Sequence, residues 1–574
     1  MSEVVADPQL LRLRQTVHGN PQDFIAWVML SEAELDHGDV DAGLRAAARA
    51  LTLRPHHPEA LARLGRAYWM QGQHAQAVEA LRQAATQVPQ HPGIALWLGH
   101  ALEDAGEAEA AAQAYENAYR LMPSEPSIAA HLLNWRRKLC DWRELETLSN
   151  QVRRAVREGR AAVEPFAFLS EDAPPAEQLA CARLRAAEIA RRIRPMPAVS
   201  EMASTRDRST LRLGFLSNGF GAHPTGLLTA AFFEALSSHS EAEAHLFALT
   251  RDDGSIIRQR LRTATRLHEA AGQPHARIAH AIREQNIDVL FDLRGWGGGG
   301  APEVLAMRPA PVQVNWLAYP GTSGAPWLDY VLADRFVLPE VLTPHYTERV
   351  KWLPGCFQPS DTQRAIPPAP SRAECGLPER TEAGGVVYCC FNNSYKLNPT
   401  SFARMMAVLG GVPGSVLWLL SGPGRADDRL REAARDSGID PARLVFMGKL
   451  PHAEYLARYQ HADLFLDTHP YNAHTTASDA LWAGCPVLTC PGETFASRVA
   501  GSLNHHLGME ALNAPDEQSF IARAIRLGND PAALAVLREE LAACRERRNG
   551  LFDMAAFARS FVLAAREMHA SMRR

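Results

Sequence analysis

The sequence predicts a multidomain α plus α/β chain: an N-terminal helical superhelix followed by two Rossmann-like lobes. Three observations predict it. Small residues and prolines recur with a period of 34 over residues 20–126. From residue 211 onward, short apolar runs alternate with helical patterns, and the alternation restarts at residue 386. A polar, proline-rich stretch, PSDTQRAIPPAPSRAECGLPERTEAGG, separates the two alternating regions. The expected division is therefore repeats over 1–126, degenerate helical repeats and a linker over 127–209, and a first α/β lobe over 210–365. An interlobe linker over 366–385 and a second lobe over 386–574, with closing helices, complete it.

The repeat comes first. Gly38, Gly72 and Gly106 share the 34-residue spacing, as do Ser31, Gly65 and Gly99. Ala50, Ala84 and Ala118 follow it, and so do Pro55, Pro89 and Pro123, and Pro58, Pro92 and Pro126. Small residues at such points let two helices approach closely, and the prolines end the second helix of each pair. The pattern resembles the tetratricopeptide repeat, which stacks into a superhelix with a concave face. That face reads either as a docking surface for proteins or peptides or as a plain scaffold. Residues 127–195 stay helical without the period, and 196–209 read as a linker.

The first lobe opens with a strand at Leu211–Ser217, then a loop holding His223-Pro224-Thr225 before a helix. Further strands are expected at 244–249, 288–292 and 312–317, with helices at 278–284 and 302–307. The second lobe opens at Val386–Phe391 and continues through strands near 416–420, 444–447, 464–466 and 486–488. Parallel doubly wound sheets bind ligands beyond the carboxyl ends of their strands, so two such lobes predict a cleft between them.

Chemistry collects at those strand ends. Leu464–Leu466 is followed by a loop and then by His474-Thr475-Thr476, which open a helix ending at Gly484. The free N–H groups of that helix start attract anions, and the two threonines add donors. Asp479, a turn further on, could accept from a ribose. The arrangement fits the diphosphate–sugar end of a nucleotide-sugar site, and an ordinary N-cap would look the same. Lys396 follows the first strand of the second lobe, where a cation can neutralise a diphosphate leaving group; a solvated surface lysine is the plainer reading. His223 stands at a strand–helix corner and has the ordinary pKa of a general base, although a loop histidine is often merely exposed. The one Asp-x-Asp, Asp39-Val40-Asp41, falls in a repeat turn, so no metal site and no metal cofactor is expected. Gly219-Phe220-Gly221 lacks the later glycine of a dinucleotide fingerprint, and the glycine run 297–300 has no phosphate-loop lysine.

Composition narrows the class. The 574 residues carry a net charge of −4, which argues against a nucleic-acid partner. No apolar run is long enough for a membrane span, and MSEVVADPQLLRLRQ does not read as a secretory signal. Nine scattered cysteines without a Cys-x-x-Cys pair fit a reducing, cytoplasmic location.

Taken together, the repeat array, Cys140-Asp141-Trp142, His223-Pro224-Thr225, Arg308-Pro309-Ala310-Pro311, Tyr319-Pro320-Gly321-Thr322-Ser323-Gly324, Phe391-Asn392-Asn393 with Tyr395-Lys396, Asn472–Thr476 and Pro491-Gly492-Glu493-Thr494 resemble the O-linked N-acetylglucosamine transferase family. The match runs in order along nearly the whole chain, and the short array resembles a bacterial member. The resemblance implies a GT-B glycosyltransferase fold and metal-independent, inverting transfer of N-acetylglucosamine from UDP-N-acetylglucosamine to Ser/Thr hydroxyls of proteins. It implies catalytic roles for His223, as a proposed general base, and for Lys396 at the diphosphate. It implies donor contacts from Asn393, Tyr395, Tyr455, His474, Thr475, Thr476 and Asp479, and a sugar- or acceptor-side loop at Pro320, Gly321 and Thr322. Asn393 stands where animal members have glutamine, Tyr455 where they have histidine, and Tyr471 where they have cysteine. Protein acceptors would lie along the repeat groove. Two further readings stay open: protein O-fucosylation from GDP-fucose, and a nucleotide-binding repeat adaptor without turnover.

Overall fold

The computed structural model describes residues 8–160, 163–197, 210–379 and 385–571. Most of the expected 196–209 linker and part of the 366–385 linker lie outside the described residues. The chain divides into two compact units, residues 1–152 with 422–426, and residues 153–421 with 427–574.

The first unit is an array of antiparallel helix pairs. Its helices span Phe24–Asp36 and Val40–Leu53, Pro58–Met70 and His74–Gln87, and Pro92–Asp104 and Ala108–Leu121. The 34-residue period has a direct steric meaning. A Cβ on Gly65 would stand 2.6 Å from Leu81, and one on Gly99 would stand 2.6 Å from the Tyr115 ring. Leu81 and Tyr115 are equivalent positions, so the glycine admits the bulky partner of the next helix. In the first repeat Ser31 takes that place, and its Oγ donates to Gly43 O at 2.8 Å. Gly38, Gly72 and Gly106 have φ of +85°, +73° and +78° at the turns, which only glycine adopts without strain. The Asp-x-Asp sequence is a helix cap: Asp39 Oδ1 accepts from Ala42 N at 2.9 Å.

The second unit holds two parallel sheets. The first contains β1 (Leu211–Ser217), β2 (Ala242–Ala248), β3 (Arg266–Glu269), β4 (Val289–Asp292), β5 (Val312–Asn315), β6 (Tyr330–Ala333) and β7 (Arg349–Trp352). Its order is β3-β2-β1-β4-β5-β6-β7. The second contains β8 (Val387–Cys390), β9 (Val416–Leu420), β10 (Leu444–Met447), β11 (Leu464–Leu466) and β12 (Val487–Leu488), in the order β10-β9-β8-β11-β12. Both orders reverse beside the lobe's first strand, between β1 and β4 and between β8 and β11. These are the switch points where doubly wound sheets open a crevice.

The chain's end departs from expectation. The helix Met554–Ser571 does not stay with the second lobe but packs on the first. Phe561 meets Phe291 and Trp316, each at a centroid distance of 4.7 Å, and Phe557 meets Phe232 at 5.2 Å. The physical reason is an apolar sheet face around Phe215 and Trp316 that needs a cover, and an amphipathic helix whose aromatic side supplies one. No helix of the described residues is long and apolar enough to cross a membrane.

Candidate functional site

A cavity of about 200 Å³ opens where the two switch points face each other. Its second-lobe wall begins just past β8. There Ser394–Lys396 form a short turn that carries Lys396 inward. Lys396 is 8% exposed, and its Nζ donates to Asn472 O at 2.7 Å and lies 3.8 Å from the centre of the Tyr471 ring. Burial brings its pKa down to about 7, although the Asp467 carboxylate opposes the shift. Asp467 is itself raised to about 6 by burial. It is held by Thr489 Oγ1 at 2.7 Å and by the N–H groups of Ala473 and Thr468 at 2.6 and 2.8 Å.

The wall continues past β11. The helix Thr475–Trp482 has His474 at its N-cap position, and no side chain caps it. Its first N–H groups are therefore open toward the cavity, which Thr475 and Thr476 line. His474 Nε2 donates to Ala496 O at 3.0 Å, and burial holds the ring neutral, with a pKa well below the usual value. Thr476 Oγ1 donates to Asn392 Oδ1 at 2.6 Å, which ties the helix start to the β8 loop.

The first lobe supplies the opposite wall. His223 caps the helix Pro224–Ser237, its Nδ1 accepting from Thr225 N at 3.2 Å. Its Nε2 lies 3.4 Å from Arg294 Nη1. A neutral imidazole has one acceptor nitrogen, and two N–H donors face this ring, so no lone pair is free for a substrate proton. Burial and the neighbouring guanidinium lower its pKa to about 4, which keeps the ring neutral. With Thr225 N–H and Arg294 in these places the ring has no free acceptor for a substrate proton. Arg294 follows β4, donates from Nε to Gly298 O at 2.8 Å, and forms no ion pair with a carboxylate among the described residues. Leu317, Ala318 and Gln358 complete this side. Arg294, Lys396, His223 and His474 line the cavity, and among the described residues no carboxylate does.

Of the residues expected from sequence, His223, Asn393, Tyr395, Lys396, His474, Thr475 and Thr476 come together here, with Tyr471. The other expected residues do not line this cavity. Asp479 is not open to the cavity: it is 3% exposed and bound by Arg364 Nη1 at 2.5 Å, with His452 Nε2 at 3.3 Å. Tyr455 lies off the cavity, its hydroxyl 2.6 Å from that of Tyr459. Pro320, Gly321 and Thr322 form a buried corner, with Thr322 Oγ1 donating to Glu348 Oε2 at 2.7 Å, and the wall is made instead by Leu317 and Ala318. Arg294 and Gln358 were missed. Arg294 was findable, since it follows a buried strand as Lys396 does; Gln358 carries no local signal.

The model of glycosyl transferase family 41 matches residues 193–368 and 361–561, and a tetratricopeptide-repeat model matches 11–58, 28–92 and 63–126. A probable UDP-N-acetylglucosamine–peptide N-acetylglucosaminyltransferase of Arabidopsis thaliana, SEC, is 34% identical over 58% of this chain and 35% of its own length. The corresponding Caenorhabditis elegans transferase is 28% identical over 61% of this chain and 40% of its own. The chain thus spans well under half the length of these curated relatives. A solved mutant O-GlcNAc transferase of Thermobaculum terrenum superposes with a TM-score of 0.68 at 26% identity, covering 96% of this chain and 98% of that one. The repeat array followed by two α/β lobes is that of a GT-B glycosyltransferase with tetratricopeptide repeats.

Proposed function

The chain belongs to glycosyl transferase family 41, and from that membership we propose that it moves N-acetylglucosamine from UDP-N-acetylglucosamine to serine and threonine hydroxyls of proteins. The transfer inverts the anomeric carbon and needs no metal ion. One observation carries the reading: a cavity wall built from an uncapped helix start, a buried lysine and an arginine without a carboxylate partner. Such a wall suits a diphosphate and repels nothing on it.

As the bond from the sugar to the diphosphate breaks, negative charge grows on the leaving oxygens. The N–H groups of Thr475 and Thr476, the Lys396 ammonium and the Arg294 guanidinium are placed to offset it. The set supplies the positive charge that a divalent ion would otherwise bring, and no carboxylate among the lining residues is available to hold one. His223 serves as a contact on the first-lobe wall, and while Arg294 faces it the ring is not free to act as the base. Asp479 and Tyr455 are assigned to the far, nucleoside end, and Asp479 reaches a ribose when Arg364 or His452 releases it. The repeats are assigned to docking protein acceptors. Nucleic acid and membrane are not among the partners, and nine free cysteines suit a cytoplasmic location.

Titration calorimetry with UDP, GDP and UDP-N-acetylglucosamine in EDTA tests this. UDP binding that persists without metal, together with labelling of protein hydroxyls from the donor, is the expected result. Preference for GDP would move the assignment to fucosyl transfer, and binding without turnover on any acceptor would leave an adaptor.

A further inference from the structure

The cavity's two ends differ in chemistry. The second lobe and Arg294 present cations and N–H groups. The remaining first-lobe wall sets Leu228, Leu317 and Ala318 beside His223, Thr225 and Gln358. Gln358 is 3% exposed, and its Nε2 is buried without a hydrogen-bond partner. A buried unsatisfied amide costs stability and needs a reason. It is not a loosely held side chain. The backbone leading into it is pinned: Gln358 N donates to Cys356 Sγ at 3.4 Å, and Phe357 N donates to Asp334 Oδ2 at 3.0 Å. Phe357 O in turn accepts from Trp316 Nε1 at 3.0 Å, and the Phe357 ring abuts Phe495 with centroids 5.0 Å apart.

We propose that Gln358 is the specificity residue for the acylamino substituent of the donor sugar, its Nε2–H donating to the acetamido carbonyl oxygen. The inference rests on the nucleotide-sugar reading above. The match is one of paired chemistry. An acetamido group brings an acceptor carbonyl and a methyl together, and this wall offers an unpartnered amide donor together with the aliphatic Leu228, Leu317 and Ala318. A diphosphate is better served by Lys396, Arg294 and the helix start at Thr475 and Thr476. A ring hydroxyl could accept from the amide but would leave the aliphatic surface without a partner. The fit also selects: a hexose with a plain hydroxyl in place of the acetamido leaves the amide orphaned and the wall wet, which is how a site built around a buried polar group rejects the analogue that lacks the complement.

The test is calorimetry on the full chain with UDP, UDP-N-acetylglucosamine and UDP-glucose, using wild type, Gln358→Met and Gln358→Glu. Met keeps the volume, and Glu keeps the shape but cannot donate when ionised. Wild type is expected to prefer the N-acetyl sugar by on the order of tenfold. Both variants are expected to bring that ratio close to one while UDP affinity stays within about twofold. A preference that survives in both variants overturns the proposal, as does a wild type that does not discriminate. A variant that loses UDP as well shows Gln358 acting on the nucleotide or the fold, and also overturns it. Failure of the wild type to bind UDP overturns instead the nucleotide-sugar reading on which the proposal rests.

Discussion

The buried lysine makes donor binding depend on pH in a direction that can be worked out. In the free protein Lys396 loses its proton near pH 7, because burial opposes the charge more than Asp467 supports it. A diphosphate against Nζ restores a counter-charge, so the complex holds the proton to higher pH than the free protein does. Only the protonated form gains that interaction. Affinity therefore falls above about pH 7, and binding takes up a proton in the alkaline range. For a single group titrating at about 7, affinity scales as 1/(1 + 10^(pH−7)), which gives about a fivefold loss from pH 7 to 8 and about fiftyfold to pH 9. At pH 8, about 0.9 proton is taken up per donor bound. His223 and His474 are already neutral there, so they do not contribute. The assay is calorimetry with UDP-N-acetylglucosamine, whose diphosphate does not titrate in this range, in buffers of different ionisation enthalpy. Lys396→Met should abolish both the slope and the buffer dependence. A donor affinity that stays constant between pH 7 and 9, with no proton uptake, would refute the reasoning.

Other outcomes follow from single contacts. Lys396→Met should lower turnover by about a hundredfold or more, with circular dichroism and melting temperature unchanged. Arg364→Met leaves the Asp479 carboxylate buried beside an open space where its partner stood, and should cost about 3 kcal/mol in denaturant unfolding. Gly99→Ala sets a methyl group 2.6 Å from the Tyr115 ring and should destabilise the repeats by about 1–3 kcal/mol, measured by thermal unfolding. Phe561→Ala removes the ring that covers Phe291 and Trp316, and a loss of about 3–5 kcal/mol is expected in the same assay. A loss below about 1 kcal/mol would mean that the last helix does not hold the first lobe together.

What was legible in the sequence was local. The 34-residue period is a statement about neighbours one helix apart, and Gly99 against Tyr115 bears it out atom by atom. The strand–loop–helix around His474-Thr475-Thr476 was legible for the same reason, since a strand of three apolar residues, a loop and a helix start lie within one short stretch. What was not legible depends on partners far along the chain. Asp479 has the sequence position of an open ribose contact, yet Arg364, 115 residues away, closes on it. The final helix has an ordinary amphipathic pattern, and nothing in that pattern says which sheet it covers. Thr322 sits in a motif with a strong resemblance, but Glu348 turns its hydroxyl inward.

The histidine shows most clearly where residue type and residue role part. His223 has the right kind of side chain at the right kind of corner, and sequence reasoning stops there. The role turns on two donors that the sequence does not bring near each other: the Thr225 N–H, fixed by the helix that His223 itself caps, and the Arg294 guanidinium, delivered from β4. A ring between two donors cannot be a base until one of them leaves. If Arg294 moves onto the diphosphate when donor binds, Nε2 is uncovered, and His223 becomes available as an acceptor there in the tautomer that gives up the Thr225 N–H bond to Nδ1. Arg294→Met separates the two cases. Burial, the larger cause, remains in the variant, so a base role for His223 predicts a histidine pKa that rises from about 4 but stops short of the ordinary value, by NMR titration without donor. A pKa that stays near 4 leaves burial, not the arginine, as the reason the ring is neutral, and removes the argument for a donor-gated base.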